Sequence, residues 1–423
     1  MTQNKLPHTM DIVITGLGVV SPNGIGKDAF WKALHSGHTG IKRIQRFDPS
    51  PFPTQIAGEV ADFTPDPFME PKESKRADRS VQFIIASTQM ALQDSCINLK
   101  KMDSSRVGVL AGTSVGGQGW ALDQFYTFMQ HGYRKMNPFT TAATFPNASS
   151  AQISLKFGLR GPSDTISSGC ASSSSAICFA TELIRTGKAD IMIVGGTESL
   201  LYPPIFAAYC ASRIMSKRNN LPIQAPSPFD KNRDGIVLGE GSAVLILENL
   251  EHAKKRSAPI YAKISGWGSS CGTTEKHHDD SGKTPSATAL AMKLALENSM
   301  LSPNNISYIK AHGSGQVDVD LMETMAIKDV FGEYAYKIPI SSIKSSIGHT
   351  VGASGAIETV AATLAMNYNE APPTLNLHTP DPQCDLDYVP NQARGVPMTS
   401  ALVNIIGFGG KNVSIVLTKY TNH

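Results

Sequence analysis

Cys170 stands in the stretch Asp164–Ile184, "DTISSGCASSSSAICFATELI", between a strand-like run and a helix-like one. A thiol set among Gly169, Ala171 and four consecutive serines is open to a reactant that must come very close. Most free cysteines are small core hydrophobes, and Cys178, inside the apolar run, fits that description. Ser172 or Ser173 is placed to cap the helix start and Gly187 to end it. Cys170 would then meet the free amides and the positive dipole end of a helix that is apolar on nearly every side and so fully buried. Such a site pulls a thiol below its ordinary pKa of roughly 8.5, which suits a nucleophile.

The other chemically able residues lie where strands run into glycine-rich turns: His312 in "IKAHGSG", His349 in "KSSIGHTVGASG", Lys344 in "SSIKSS" and Phe408 in "GFGG". Strand-end loops are where α/β proteins place their chemistry. A lone histidine is usually structural, but two beside a cysteine in such turns point to proton transfer or hydrogen bonding next to a thiol. A zinc site built from Cys170, His312 and His349 competes with that reading, but Lys344 is a poor neighbour for a cation. No metal is assigned. "KHHDD" (276–280) offers ligand types in a polar loop and reads as solvated. No Walker or dinucleotide glycine pattern follows a strand, so nucleotide cofactors are not indicated.

These turns need elements to hold them. The 423 residues are 41% apolar and 17% charged, a globular balance, and a net charge of +3 is too small to announce nucleic-acid binding. With no run of 18 apolar residues, no basic apolar leader and six scattered cysteines without a CxxC pair, a soluble protein of a reducing cytoplasm is expected. Strand-like runs ("DIVITGLGVV", "RVGVLAGTS", "ADIMIVGGTES", "SAVLILENL") alternate with helix-period runs such as "SVQFIIASTQMALQDS", the pattern of an α/β protein. After residue 255 the grammar repeats. "PIYAKISGWGSS" opens, "ISYIKAHGSG" follows, "IPISSIKSSIGHTVGASGAIETVAATLAM" matches the Cys170 stretch, and "ALVNIIGFGG" with "VSIVLTKY" closes. Two similar halves, 1–255 and 256–423, are expected.

"GCASSSSA", "AHGSG", "IKSSIGHTVGASGAIE" and "GFGGKN", in this order and spacing, resemble the β-ketoacyl–acyl carrier protein synthases of the condensing-enzyme, thiolase-like superfamily, over essentially the whole chain. The resemblance implies a duplicated α/β/α/β/α five-layered fold, each half on a mixed five-stranded sheet, and a dimer. A histidine at 349, where thiolases have cysteine and initiating enzymes asparagine, points to decarboxylative elongation. By resemblance, Cys170 takes an acyl chain from a carrier-protein thioester, and the enolate left by decarboxylation of a malonyl carrier attacks it. The amides of Cys170 and Phe408 would form an oxyanion hole, His312 and His349 would stabilise the enolate, and Lys344 would hold the charge balance with Glu358 and Glu323. Phe408 would also gate the acyl and malonyl pockets. Ser314 and Gln316 would meet the pantetheine arm, which belongs to the carrier, so no cofactor of the enzyme's own is implied. Val115 would lie at the end of the acyl pocket.

"HGSGQVDVDLMET" and "PPTLNLHTPDPQCDLDYVP" look more like the ketosynthase alpha subunits of type II aromatic polyketide systems, which pair with a chain-length factor, than like fatty-acid elongation enzymes, which are homodimers. Lys72, Lys75, Arg76 and Arg79, with Arg213 elsewhere, are the candidates to meet an acidic carrier protein. Neither nucleic acid nor membrane is an expected partner.

Overall fold

In the computed structural model, which describes residues 10–272 and 286–421, each half of the chain contributes five strands to the main path of a large mixed sheet, the short strand Gly24–Ile25 pairing beside it with Val20 and Ser21. The first half supplies β1 (Ile12–Ser21), β2 (Val107–Gly112), β3 (Ser163–Ile166), β4 (Ile191–Glu198) and β5 (Gly241–Asn249). The second supplies β6 (Ala262–Cys271), β7 (Tyr308–Lys310), β8 (Ile340–Ser341), β9 (Ser400–Ile406) and β10 (Lys411–Thr418). Their spatial orders are β3-β2-β4-β5-β1 and β8-β7-β9-β10-β6, the same permutation twice. The pairing directions match as well: the first two contacts in each order are parallel and the last two antiparallel. The halves join edge to edge where β1 and β6 pair antiparallel, from Ile12 opposite Ile264 to Ile14 opposite Ala262.

Five helices complete the layers: α1 (Arg79–Asp94), α2 (Ser172–Arg185), α3 (Ala287–Ser299), α4 (Val317–Phe331) and α5 (Ser354–Tyr368). Strand alternation decides which layer each side chain joins. On β4 and β5, Ile191, Ile193, Val244 and Ile246 face out to Val81, Ile84 and Ile85 of α1. Their neighbours Met192, Val194, Leu245 and Leu247 face in to α2 and α5. On the other side, Leu402 and Val416 face out to α3 and α4, while Val403, Ile405, Ile415 and Leu417 face in. The result is α/β/α/β/α, with α2 and α5 in the middle layer. Each large aliphatic side chain buried in these seams stabilises the fold by roughly 1.5–3 kcal/mol.

One glycine pattern recurs in both halves. A Cβ on Gly18 of β1 would lie 1.9 Å from the Ser87 carbonyl oxygen of α1, and one on Gly268 of β6 would lie 2.1 Å from that of Ala291 in α3. Each opening strand therefore lets its outer helix rest backbone against backbone. Full burial of α2 does not hold: Phe179 is 54% exposed. Ala176, Ile177, Ala180 and Ile184 fill the face toward the sheets, and Phe179 projects from the opposite one. No helix among the described residues is long and apolar enough to cross a membrane.

Candidate active site

The turn between β3 and α2 explains the serine run around Cys170. Gly169 takes φ 61°, a left-handed conformation that suits glycine. Ser172 Oγ accepts the Ser168 amide at 2.9 Å and donates to the Gly169 carbonyl at 2.7 Å, closing the turn. The helix N-cap is Ala171, so neither Ser172 nor Ser173 caps from outside as expected; both already lie in the first turn. Ser173 Oγ instead accepts the Ala356 amide of α5 at 3.0 Å. Ser174 packs where a Cβ on Gly355 would come within 1.9 Å of its Oγ. The serines thus let two central helices touch closely, and none of the four lines the cavity that Cys170 faces.

That cavity has a volume of about 610 Å³ and is lined by Cys170, His312, His349 and Phe408, with Val115 and Gln316 further along its walls. Cys170 and His349 occupy equivalent positions, each between the third strand of its half and the central helix that follows. His312 follows the second strand of its half, β7, and Phe408 the fourth, β9. Cys170, His312 and His349 are buried, whereas the Phe408 side chain is 80% exposed at the rim.

Hydrogen bonds fix the proton on each imidazole. The Lys344 ammonium donates to the His312 carbonyl at 2.7 Å and to Glu358 Oε1, and lies 3.3 Å from His312 Nδ1. Its three protons are thereby matched to three acceptors, which leaves His312 protonated on Nε2. His349 Nδ1 accepts the Val351 amide at 3.2 Å and faces Ser354 Oγ at 3.0 Å, so it too carries its proton on Nε2. The rings meet edge to face with centroids 5.3 Å apart. Burial, with Lys344 second, holds both well below the ordinary histidine pKa. Both are neutral hydrogen-bond donors at pH 7.

The thiol departs from expectation. Burial pushes Cys170 above its ordinary pKa, outweighing the Phe408 amide and the Lys344 charge, which favour the thiolate, while Glu198 opposes it further. The helix start was expected to dominate; desolvation wins. The amides of Phe408 and of Cys170 itself both favour negative charge at the sulfur.

Carboxylates brace these turns from behind. Glu323 accepts the amides of His312 and Gly313 at 2.7 and 2.8 Å and the Asn404 side chain at 2.7 Å. Glu358 pairs with Lys344. Ser314 points away from the cavity: its amide donates to Asp320 Oδ1 at 2.9 Å, and its Oγ accepts the Gln316 amide at 3.3 Å. Burial raises Asp320 to about 7 despite the amides of Phe229 and Gly315 and the charge of Arg233. Lys72, Lys75, Arg76 and Arg213 are exposed. Arg79 is not part of that surface; it pairs with the buried Glu240 at 2.9 Å. Residues 276–280 lie outside the described residues.

Sequence reasoning missed three site residues. Glu198, at the end of β4, accepts the amides of Ser114, Val115 and Gly352, tying together loops from both halves. Tyr209 lines the cavity. Lys310 is wholly buried on β7, two residues before His312. A charged residue inside an apolar strand was the one signal available for it.

The family model for the beta-ketoacyl synthase N-terminal domain matches residues 9–253, and that for the C-terminal domain matches residues 261–378. A 3-oxoacyl-[acyl-carrier-protein] synthase 2 of Coxiella burnetii is 42% identical over 410 residues, 96% of this chain and 98% of its own. Among solved structures, the ketosynthase of a type II PKS complex with its acyl-carrier protein, bound to the hexaketide, superposes with a TM-score of 0.89 at 32% identity, covering 98% of this chain and all of its own. The ishigamide ketosynthase/chain length factor gives 0.90 at 28% identity, with coverage of 98% and 100%. A cysteine-bearing half and a histidine-bearing half line one cavity, and with family models matched along both the chain belongs to the beta-ketoacyl synthase family of condensing acyltransferases.

Proposed function

We propose that this chain is the catalytic ketosynthase of a type II polyketide-forming system, with residues 1–255 supplying the nucleophile and 256–423 the two histidines. The observation that carries the chemistry is the convergence of Cys170, the two Nε2–H donors and the Phe408 amide on one cavity. In the first step the Cys170 sulfur attacks the acyl thioester of a carrier protein, the carrier thiol leaves with the cysteine proton, and an acyl-enzyme forms. The amides of Cys170 and Phe408 hold the tetrahedral oxyanion, each donor contributing on the order of 3 kcal/mol. A malonyl carrier then replaces the first. As its C–C bond breaks and CO2 leaves, the electron pair passes into an enolate whose oxygen accepts from His312 and His349. The enolate carbon attacks the acyl carbonyl and the Cys170 thiolate departs, taking up one proton from water. Neutral histidines suit this work, because they donate without needing to ionise. Gln316 contacts the pantetheine arm that the carrier brings, Phe408 separates the two acyl sites at the rim, and Val115 limits chain length. The enzyme works in the cytoplasm and needs no cofactor of its own.

Tyr209 favours the polyketide reading. It is half-buried and lines the cavity with Ala208, Ser212 and Ile214. An oxygen-bearing chain supplies an acceptor for its hydroxyl that a saturated chain lacks. The partners are an acyl carrier protein, met by Lys72, Lys75, Arg76 and Arg213, and a chain-length factor. Support for a paired subunit comes from the apolar face of helix Gln118–His131, where Phe125, Tyr126, Phe128 and Met129 are exposed, and from β3, which ends the sheet. The native mass and composition of the complex purified from its own host test this reading. Two unlike subunits of similar size, one with the reactive cysteine, are expected. Two identical chains would return the protein to homodimeric fatty-acid elongation as a 3-oxoacyl-[acyl-carrier-protein] synthase 2, the name its Coxiella relative carries.

A further inference from the structure

Behind His312 lie two buried lysines and one carboxylate that pairs with both. Lys344 holds Glu358 Oε1. Lys310, fully buried, donates to the Ala311 carbonyl at 2.9 Å and stands 3.7 Å from Glu358 Oε2, an oxygen with no hydrogen-bond partner of its own. A continuous polar chain therefore runs Lys310–Glu358–Lys344–His312. Nothing in the condensation chemistry above uses Lys310, yet burying an ammonium without a full set of acceptors is costly.

We infer that Lys310 is a positioning residue for the malonyl half-reaction, a second cation that acts through Glu358 and Lys344 to keep His312 a neutral donor and to favour the enolate charge at its Nε2. The inference rests on the condensation reading and deepens it. The two lysine charges stand against those of Glu358 and of Glu323, which holds the His312 and Gly313 amides, so loss of the Lys310 proton leaves the surroundings of the ring one unit more negative. The Lys310 charge opposes protonation of His312 and attracts the negative charge appearing on the far side of the ring as CO2 leaves.

The groups around Lys310 determine when it is charged. Glu358 faces it from α5, Lys344 from the short helix Lys344–Ile347 and Glu323 from α4; Tyr308 and His312 share its segment, Tyr308 being bonded to Ser341 of β8 at 2.7 Å. From β9 comes Asn404, uncharged and already donating to Glu323. Burial pulls Lys310 down to about 8, with Glu358 opposing and Lys344 assisting. Lys310 therefore keeps its charge at neutral pH and loses it just above, so the rate of malonyl decarboxylation falls as pH rises through that window.

The test is the pH profile of CO2 release from malonyl-N-acetylcysteamine, a carrier-free thioester, from pH 6.5 to 9.5. The wild type is expected to lose rate with a midpoint near 8. Lys310→Met should be about tenfold slower at pH 7 and flat across the range. Lys310→Arg, whose charge persists, should stay fast and equally flat, a result that mere structural filling would not produce. If Lys310→Met melts below the assay temperature, the arginine variant decides alone: a retained limb overturns the inference and a lost limb supports it. A methionine variant that keeps the wild-type limb also overturns it. Wild-type enzyme that releases no CO2 overturns the condensation reading itself, and the role of Lys310 with it.

Discussion

Lys344 Nζ lies 3.3 Å from His312 Nδ1, so an ammonium, and not a carboxylate, is the near neighbour of the ring. A carboxylate there would raise the imidazole's basicity; the ammonium does the reverse. Because His312 and His349 are held well below the ordinary histidine value, malonyl decarboxylation should show no acid limb near pH 6.5. Lys344→Met should introduce one, as His312 rises toward that value. Decarboxylation assayed from pH 5 to 8 decides the matter. His312→Ala should cost about 10²–10³ in kcat with a much smaller change in KM, as for loss of one charge-stabilising donor.

Cys170 titrates above an ordinary thiol because burial outweighs the two amides and Lys344. Alkylation by iodoacetamide should therefore accelerate with pH through and beyond about 8.5. Lys344→Met, which removes one of the groups favouring the thiolate, should move that profile further alkaline. Cys170→Ala should abolish acyl transfer while the native mass of the assembly stays unchanged.

Tyr209 has a hydroxyl for an oxygenated chain to answer. Tyr209→Phe should lower kcat/KM for a 3-oxoacyl thioester about 5- to 100-fold and leave the saturated thioester of equal length little changed. Competition between the two substrates reads the ratio directly. An unchanged ratio would remove the support Tyr209 gives to the polyketide reading.

Glu248 is the fold's acid-sensitive link. Burial raises it, but Arg256 at 2.5 Å, His252 at 2.7 Å and Thr15 together pull it down to about 2 from an ordinary 4.5. A depressed carboxylate stabilises the fold fully above its unfolded value and loses that contribution as pH falls toward its folded one, here about 3 kcal/mol between pH 4.5 and 2. Glu248→Gln should be destabilised by a comparable amount at pH 7 and lack that segment of the pH dependence in urea unfolding.

The doubled strand order was legible because β1, β4, β5, β6, β9 and β10 run seven to ten residues and are rich in apolar side chains, whereas β7 and β8 have only three and two. Cys170, His312, His349 and Phe408, each conspicuous in a glycine-rich turn, are brought to one cavity. Lys310 escaped notice because its meaning depends on Glu358, 48 residues on, arriving beside it. Ser314 and Arg79 misled for a related reason: a polar residue next to a functional motif reads the same whether it faces a cavity or a buried carboxylate. The thiol's raised pKa was equally illegible, since helix-start effects are local and desolvation belongs to the finished fold.

Cys170 and His349 stand at equivalent stations, each in the turn that leads from the third strand of its half into a central helix. Because both turns open on the same chamber, one fold repeated offers two corners that can carry unlike groups, a sulfur at one and an imidazole at the other. Ser173 of the first half holds the Ala356 amide of the second, so the two corners are set at a fixed spacing by direct contact between their own helices.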